Sequence, residues 1–521
     1  MKKQTVLAPE PVLSPWQRRY LYFTAAITGA AIMVVEILGA KMLAPYVGTS
    51  HFVWTAQIAV TMVALASGYY VGGRWADKSL KLDRLYWSIV AAAAYLCVAI
   101  LIIEPVAYAF LGLRLAIGTL FTSAFLFLLP LALLAMTGPF FIRVLTSNVS
   151  GVGGNVGRLS AVSTLGSVLG TILIGYILIP FLHNSWIMFS TAALLLAVAA
   201  VYKMAWSRKG LPVALLVTVG ILGFGYFAAA QSLKPGYRNL KELTRRNSNF
   251  GMLQVMQQEG SNRRFYFNDY LTQNTYDTDT KQSTSMFTYM LHELARAYTT
   301  NVQHVLCIGL GVGIVPMEFA REGTRVDVIE INPAVVPVAR DFFGLEPDKL
   351  NINFGDGRYF VNKSTNHYDA VVLDAFLGDS CPSHLMTREA FMGINRILKP
   401  EGTLVVNTFC DFEAGHDFFG ASLYKTMRSV FPQVLIHQLA HGGNALFVAS
   451  HREKLQMVRT NNFDYVHPHC RSEVEMAFES LREPNPSHGQ ILTDDYNPVE
   501  YYDAVNRENL RRYLASAMVR Q

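Results

Sequence analysis

The fold of the second half of this chain is decided by the stretch VQHVLCIGLGVGIVPMEFARE, residues 302–322. It opens with a short apolar run that predicts a β-strand, passes through Gly309, Gly311 and Gly313, and ends with the spacing of an amphipathic helix. A second predicted strand, TRVDVIEI, follows at residues 324–331. A strand, a glycine turn, a helix and another strand together begin a parallel α/β sheet.

The same alternation continues toward the C-terminus. The next predicted helix is PAVVPVARDFF, with Pro333 in its first turn, where helices favour proline. Three more strands are predicted in INFGDGRYF (352–360), YDAVVLDAF (368–376) and GTLVVNTF (402–409), with helices in TREAFMGINRIL and HDFFGASLYKTMRSVF. Two final strands are predicted in VLIHQLAHGGNALFVAS (434–450), joined by a glycine turn. We therefore expect a parallel sheet that ends in an antiparallel hairpin.

The glycine turn predicts a nucleoside-binding site. Glycine lets the backbone approach a ligand closely, and the N-terminus of the next helix opens beside it. Glu330 lies 21 residues after Gly309, close to the roughly 20 residues at which an acid reaches the ribose hydroxyls in such folds. Ile314 replaces the third glycine of GxGxxG, and GxGxG with a final hairpin is what S-adenosyl-sulfonium enzymes use. The alternative is a plain tight turn with a surface glutamate.

Two further acids follow predicted strands. Asp356 lies in GDG and could accept a hydrogen bond from an adenine amino group, and Asp374 lies in LDAF at the end of the fourth strand. Ligands bind outside the carboxyl ends of the strands in open parallel sheets. We therefore expect both acids at the site, although a strand-end aspartate is often a helix cap or a loop anchor instead.

The segments on either side of the sheet could close this site. Residues 250–276, FGMLQVMQQEGSNRRFYFNDYLTQNTY, predict a small antiparallel β cap with a turn at 260–262, and the helix MFTYMLHELARAY follows. Residues 492–502, LTDDYNPVEYY, bring acids and tyrosines together late in the chain. Asp495 and Tyr496 are candidates there for substrate contacts, with a surface loop as the alternative.

Composition separates the front half from the back half. The 521 residues are 51% hydrophobic and 16% charged, with a net charge of +6. Residues 1–231 carry a net +10 and residues 232–521 a net −4. Seven apolar stretches reach the roughly 20 residues that a membrane-spanning helix needs, near 21–44, 53–73, 86–103, 117–142, 159–181, 186–205 and 212–231. We expect a polytopic membrane domain followed by a water-soluble one.

Loop charges predict how the spans are oriented. Lys and Arg concentrate in the N-terminal tail and in the loops after spans two, four and six, which favours a cytoplasmic N-terminus. Seven full spans would then place the back half outside, whereas the basic residues at 234–246 favour the inside. The run PVAYAFLGL, residues 105–113, is a candidate for an extra partial segment. We expect the inner (plasma) membrane and a cytoplasmic catalytic domain.

Two features inside the spans stand out. Gly166 and Gly170 lie at helical spacing in LSAVSTLGSVLGTILIG and predict a closely packed helix seam. Glu36 is the one acid well inside a span, where ionisable groups are costly and often functional. Pairing with Lys41 or a position nearer the interface is the alternative.

Other site classes are disfavoured. The five cysteines form no CxxC pair, so we expect buried thiols and no disulfide framework, and we expect no metal. Nucleic acid is not an expected partner, because the soluble half is acidic and lacks a basic stripe.

Together these motifs resemble the spermidine synthase-like aminopropyltransferases, in particular the branch fused to a membrane domain. The resemblance covers most of residues 248–500 and extends to GAAIMVVEILGAKMLAPYVGTSHFVW and SGYYVGGRWAD in the apolar half. It implies a multi-pass α-helical membrane domain joined to a class I methyltransferase-like Rossmann domain with a small N-terminal β cap. The implied organisation is a tail (1–20), about seven transmembrane helices (21–231), a linker with β cap and helix (232–300), the Rossmann domain (301–505) and a C-terminal helix or tail (506–521).

The resemblance also implies the site. The implied nucleoside contacts are Gly309, Gly311, Gly313, Glu330 at the ribose, Asp356 and Gly357 at the adenine, and Gln273 in the cap. Asp374 matches the first aspartate of the family's catalytic stretch, and Asp379 is the displaced second one. Tyr289 matches a substrate-contacting tyrosine, which Asp495 and Tyr496 would assist. The resemblance implies S-adenosylmethionine or its decarboxylated form as co-substrate, a polyamine or other small amine as acceptor, no tightly bound cofactor, contact with membrane lipid, and a homodimer.

Three functions remain open. The first is aminopropyl transfer to a polyamine with release of methylthioadenosine. The second uses intact S-adenosylmethionine, for methyl transfer or for intramolecular cleavage to methylthioadenosine, because DTDTKQSTSMFTYM (277–290) departs from the family's amine-recognition pattern. The third is a membrane transporter or sensor with a nucleoside-binding domain and no enzymatic activity.

Overall fold

The chain divides into two compact units in a computed structural model. The structure describes residues 13–48, 50–146, 151–232, 239–269, 271–376, 382–438, 443–459 and 463–502. The first unit comprises residues 1–47 and 51–234, and the second comprises residues 48–50 and 235–521.

The first unit is built from helices. Seven of those described are long and apolar enough to cross a membrane: α1 (Pro15–Val47), α2 (His51–Lys78), α3 (Leu82–Phe110), α4 (Leu115–Leu145), α5 (Val152–Phe181), α6 (Asn184–Trp206) and α7 (Leu211–Gln231). At 1.5 Å per residue even α7, with 21 residues, spans about the 30 Å of a bilayer core. The predicted set of about seven helices is confirmed.

Two details differ from the sequence prediction. α1 begins at Pro15 rather than near residue 21. The helix extends beyond the apolar stretch because its backbone hydrogen bonds form within the helix whether or not the side chains are apolar. The run at 105–113 is no separate segment: α3 continues through Pro105 to Phe110, and a turn follows.

Small residues let α1 and α5 approach closely. A Cβ atom added to Gly166 would lie 2.1 Å from the carbonyl oxygen of Ala26, and one added to Gly170 would lie 2.7 Å from that of Ala30. The predicted seam is therefore a helix contact in which backbone meets backbone.

Gly166→Ala is expected to lower the free energy of unfolding of the first unit by about 1–3 kcal/mol, because the new methyl group overpacks the α1–α5 contact. Gly157→Ala is the control on the same helix, since a Cβ there meets nothing within 4 Å. Thermal denaturation in detergent measures both. Equal melting temperatures for the two variants would contradict the seam.

Two acids of this unit, Glu36 and Asp83, have partners on or next to neighbouring helices. The Glu36 side chain on α1 hydrogen-bonds with Thr61 on α2. Asp83 at the start of α3 forms an ion pair with Lys203 on α6 and accepts a hydrogen bond from Ser207 Oγ at 2.6 Å. Polar contacts of this kind connect neighbouring helices.

The second unit begins with the β cap. Its five strands run antiparallel in sequence order: β1 (Leu240–Ser248), β2 (Gly251–Gln258), β3 (Arg263–Asn268), β4 (Leu271–Asp277) and β5 (Gln282–Ser283). Helix α8 (Met286–Tyr298) follows. The cap begins one strand earlier than predicted, because residues 240–248, which are rich in charge, pair with β2.

A seven-stranded sheet carries the rest of this unit, in the order β11-β12-β10-β9-β6-β7-β8. Its strands are β6 (His304–Ile308), β7 (Arg325–Glu330), β8 (Asn351–Phe354), β9 (Tyr368–Leu373), β10 (Leu398–Phe409), β11 (Gln433–Gln438) and β12 (Asn444–Ser450). Strands β6 to β10 are parallel, and β12 runs antiparallel to both β10 and β11. The predicted Rossmann-like sheet with a final hairpin is confirmed.

Helices connect these strands and cover the sheet: α9 (Ile314–Arg321), α10 (Val335–Phe343), α11 (Gly357–Lys363), α12 (Arg388–Ile397), α13 (Phe418–Arg428) and α14 (Arg471–Glu479). Alternate residues of β6 enter opposite cores: Val305 and Cys307 belong to one apolar cluster, and Leu306 and Ile308 belong to the other. Both faces of β6 are thus buried, as in parallel sheets that carry helices on both sides.

The cysteines in the described part of the chain are all buried. Cys97, Cys307, Cys410 and Cys470 are all buried, in agreement with the expectation of buried thiols, and Cys381 lies outside the described residues. Buried thiols of this kind fill space as small apolar groups.

Candidate functional site

A cavity of about 570 Å³ opens at the carboxyl edge of the seven-stranded sheet. Its walls come from the glycine turn after β6, the ends of β7, β9 and β10, the loop after β8, and the cap. The chain adds β7 and β8 on one side of β6, and β9 and β10 on the other. The cavity therefore lies at the point where the strand order reverses, which is where open α/β sheets bind ligands.

The glycine turn brings two strand ends together. Gly309 has φ of +99° and Gly313 has φ of +86°, which side chains other than glycine rarely adopt. A Cβ atom on Gly309 would lie 2.2 Å from the carbonyl oxygen of Asp374. The turn after β6 therefore packs directly against the end of β9, and Gly309, Gly311 and Asp374 all line the cavity.

Glu330 is fixed at the end of β7. Its side chain is only 8% exposed. One carboxyl oxygen accepts a hydrogen bond from the Leu310 N–H at 2.9 Å, and the other accepts one from the Asn332 N–H at 2.8 Å. Burial raises the pKa of Glu330, and the backbone hydrogen bonds oppose that rise. The Ile331 N–H also hydrogen-bonds to this carboxyl group, and a carboxylate has about four acceptor positions, so it can still accept from a ligand.

Asp356 caps a helix and also lies at the cavity, the two alternatives that the sequence left open. It is the N-cap of α11, accepting from the Tyr359 N–H at 2.8 Å, and it lines the cavity. Its other oxygen lies 2.8 Å from Nε2 of His384. Burial acts to raise the pKa of Asp356, but the hydrogen bonds from Tyr359 and His384 outweigh it, so the pKa is lowered. Asp356 is therefore held as an anion.

Asp374 is the most strongly perturbed carboxyl group of the cavity. It follows β9 and is partly exposed. Burial of the carboxyl group raises its pKa from 3.8 to about 6, against a lowering contribution from Asn407. Asn407 Nδ2 donates to Oδ1 of Asp374 at 2.8 Å. A carboxylate with such a pKa can accept a proton near neutral pH, as a general base must.

The remaining predicted site residues divide into those that line the cavity and those that do not. Gly313 is not among the described lining residues, and a Cβ atom there would meet Leu345. Gly357, after β8, and Gln273, on the cap strand β4, line the cavity with the residues above. Tyr289 is buried outside the described lining, and its hydroxyl donates to the Ser283 carbonyl at 2.7 Å. Asp495 and Tyr496 are exposed and are not among the described lining residues, and Asp379 lies outside the described residues. Their roles stay predictions.

Several lining residues were not predicted from the sequence: Asn332, His384, Asn407, Asn444 and Glu473. Asn407 lies near the end of β10, so the strand-end argument that selected Asp374 could have selected it too. His384 and Glu473 lie in segments without any motif, and only the folded chain brings them to the cavity.

The cavity is rich in negative charge. Four carboxyl groups line it, those of Glu330, Asp356, Asp374 and Glu473, and the described lining residues include no Lys or Arg. His384 is the lining histidine in this part of the chain. Such a lining favours a positively charged ligand.

Part of the second unit is similar to known proteins. Residues 285–440 match the family model of the spermine/spermidine synthase domain. A polyamine aminopropyltransferase of Vibrio vulnificus is 37% identical over 113 residues, which cover 20% of this chain and 38% of that protein. An N-terminal histidine N-methyltransferase of Emericella nidulans is 32% identical over 134 residues, which cover 25% of this chain and 23% of that protein.

These matches span less than two fifths of the length of either relative. Among solved structures, a spermidine synthase from Thermotoga maritima aligns with a TM-score of 0.36 and 18% sequence identity, over 47% of this chain and 86% of that one.

Proposed function

We propose that the spermine/spermidine synthase domain formed by residues 285–440 makes this chain a membrane-bound aminopropyltransferase. The donor is decarboxylated S-adenosylmethionine, the acceptor is a polyamine or another small amine, and methylthioadenosine is released. The observation that carries the proposal is a cavity that combines the glycine turn, a fixed Glu330 and the basic carboxylate of Asp374.

The donor occupies the glycine-turn side of the cavity in this proposal. The bare backbone at Gly309 and Gly311 admits the nucleoside, Glu330 accepts hydrogen bonds from the ribose hydroxyls, and Asp356 and Gly357 contact the adenine. These groups are positioned in advance by their own hydrogen bonds within the protein. Such preorganisation lowers the entropic cost of holding two reactants in line.

The transfer step requires a proton acceptor and no metal. An ammonium group of the acceptor gives a proton to Asp374, and its nitrogen attacks the methylene carbon beside the sulfonium. A C–N bond forms, the C–S bond breaks, and the electron pair stays on sulfur, which leaves as a neutral thioether. Asp374 then returns its proton to water. A positioned base of this kind contributes about 10²–10⁴-fold to the rate.

The charge of the cavity favours the decarboxylated donor over intact S-adenosylmethionine. The decarboxylated donor carries a sulfonium and an ammonium group, and both are attracted by the lining carboxylates. Intact S-adenosylmethionine adds a carboxylate, for which the described lining residues offer no Lys or Arg partner. The same lining suits a polycationic amine as the acceptor.

A second candidate is an enzyme that uses intact S-adenosylmethionine. The match to a histidine N-methyltransferase supports it, because methyl transfer to nitrogen needs the same nucleoside site and the same kind of base. Cleavage to methylthioadenosine without an amine belongs to this candidate too.

Product analysis separates the two candidates. The purified full chain in detergent is incubated with each sulfonium donor, with and without a diamine such as putrescine, and every product is identified by mass. Methylthioadenosine and an aminopropylated amine that appear only when the decarboxylated donor and the amine are both present support the proposal. Methylthioadenosine without amine, or S-adenosylhomocysteine, overturns it in favour of the second candidate.

The pH dependence of turnover gives an independent check. Because the pKa of Asp374 is raised to about 6, the carboxylate is ionised above that pH and protonated below it. We expect kcat/KM, which reports the free enzyme, to be constant above about pH 7 and to fall about tenfold per pH unit below pH 6. An acidic limb centred near pH 4, the ordinary range of an aspartate, would contradict the assigned base.

The helical unit supports placement in a membrane. In α5 and α7, only 22% of the most apolar window is buried inside the protein, so large apolar surfaces are left for lipid. We place the chain in the inner (plasma) membrane with its catalytic unit in the cytoplasm, because we give the basic residues at 234–246 more weight than the loop charges; with seven spans the N-terminus then lies on the opposite side. Arg245 is one of the basic residues that favour the cytoplasmic side. It lies on β1 and forms an ion pair with Glu242, so its charge also contributes to the β cap. Reporter fusions at the C-terminus test the side, and an external C-terminus would contradict the placement.

A further inference from the structure

The last hairpin of the sheet delivers two asparagines to the cavity. Asn407 lies on β10 and is 1% exposed, and Asn444 is the first residue of β12, directly after Gly443. In the antiparallel ladder Asn444 pairs with Phe409, two residues beyond Asn407, so both asparagines reach the same edge of the sheet. Both line the cavity beside Asp374.

These two side chains form a directed chain of hydrogen bonds. Asn444 Nδ2 donates to Oδ1 of Asn407 at 2.9 Å, and Asn407 Nδ2 donates to Oδ1 of Asp374 at 2.8 Å. Turning the Asn407 amide over would place its carbonyl oxygen against the carboxylate and its NH₂ group against that of Asn444. The contact with the carboxylate, which can only accept, would then be repulsive, so Asp374 selects the orientation in which Asn407 donates. Asn444 supports that orientation by donating to the Asn407 oxygen.

We propose that Asn407 and Asn444 are positioning residues for Asp374, which hold one oxygen of its carboxylate and leave the other free for the proton of the incoming amine. This rests on the proposed function, in which Asp374 is the base. The hairpin thereby acquires a role in the reaction besides covering the end of the sheet.

The neighbours of Asp374 explain why such support is needed. The carboxylate is removed from bulk water, which disfavours its charged form, and a hydrogen bond to that form opposes this. Cys307 on β6 interacts electrostatically with it, and burial raises the pKa of this thiol, so it stays neutral. Among the described lining residues, the other titratable groups are Tyr266, Glu330, Asp356, His384 and Glu473. Most of these are acids, so they do not stabilise a further anion.

The variants Asn407→Leu and Asn444→Ala test the proposal. Loss of the donated hydrogen bond is expected to move the acidic limb of kcat/KM upward by about one pH unit, which lowers kcat/KM about twofold at pH 7 and about tenfold at pH 5. Donor affinity, measured by calorimetry, is expected to stay within about threefold, because neither asparagine contacts the groups at Glu330. Asn407→Gln, which keeps the amide, is expected to recover part of the rate.

Thr403→Val is the matched control on β10. Thr403 is buried and donates to the Tyr298 carbonyl at 3.1 Å, away from the cavity lining. Its removal perturbs the same strand without touching Asp374, so the pH profile should stay unchanged. Circular dichroism establishes that each variant is folded, and Asn444→Ala, which changes only the second residue of the chain of hydrogen bonds, replaces Asn407→Leu if the latter does not fold.

A readout independent of activity separates this proposal from the proposed function. Infrared spectroscopy follows the carboxyl stretching band as the pH is changed. The difference between the parent protein and Asp374→Asn gives the pH at which Asp374 is half-protonated. An upward shift in Asn407→Leu supports the positioning role even if no aminopropyl transfer is found. An unshifted midpoint and pH profile, or parallel losses in kcat and donor affinity, overturn it.

Discussion

Asp374→Asn is expected to lower kcat by about 10²–10⁴-fold while the Kd of the donor rises far less, because three other carboxyl groups of the cavity still attract the donor. The amide has nearly the shape of the carboxyl group, and its oxygen can still accept the hydrogen bond that Asn407 now donates at 2.8 Å. It cannot take a proton from the amine, so the loss falls on the chemical step. Single-turnover kinetics with the decarboxylated donor, combined with calorimetry of donor binding, separates the two quantities.

Asp369→Asn provides the control on the same strand. Asp369 lies near the start of β9, where it pairs with Lys399 at 2.9 Å and accepts from the His304 N–H at 2.9 Å. This change removes a carboxylate from β9 at the end opposite the cavity, so kcat is expected to be unaltered. If Asp374→Asn weakened donor binding as much as it slowed turnover, the residue would be a binding group and not the base.

The parts of the site that follow local rules could be predicted from the sequence. A strand that ends in glycines and leads into a helix places Gly309 at the sheet edge, and parallel neighbours bring Glu330 and Asp374 to the same edge. Each of these steps depends on residues close together in the chain. The cavity that contains all three positions therefore agrees with the expectation.

The parts that depend on register could not be predicted. Asn407 and Asn444 meet only because β12 pairs with β10 in one particular alignment, and a slip of one residue would turn Asn444 to the other face. β1 was missed for a related reason: its charged residues look like a basic segment flanking a membrane span, and only pairing with β2 makes them a strand.

The surroundings of Tyr289 differ from what the resemblance implies. The sequence match suggests a substrate contact, yet the hydroxyl donates to the Ser283 carbonyl and accepts from the His467 N–H at 3.4 Å. Burial raises the pKa of Tyr289, so this hydroxyl stays neutral. In the described structure the side chain supports the junction between the cap and α8, and a direct role in amine recognition requires a change in that junction.

Glu330→Gln is expected to raise the Kd of the donor by about 30–300-fold, a loss of about 2–3.4 kcal/mol, because a charged hydrogen-bond acceptor at the ribose is replaced by a neutral amide. The substitution also disturbs the protein itself. Both carboxyl oxygens accept backbone N–H groups, from Leu310 and Asn332, and a glutamine can satisfy only one of them. The NH₂ group would face the other N–H, so the glycine turn or the turn after β7 must shift.

Glu318→Gln is the matched control for this loss of charge. Glu318 lies on α9, the helix after the glycine turn, and pairs with Arg321 at 2.5 Å. A surface pair of this kind contributes little, about 0–1 kcal/mol, so donor affinity and melting temperature should stay close to those of the parent protein. With donor at saturation, Glu330→Gln should keep most of its kcat, because Glu330 binds the donor and Asp374 takes the proton. A variant that bound donor normally but turned over slowly would reverse these two assignments, and the nucleoside would then have to lie elsewhere in the cavity.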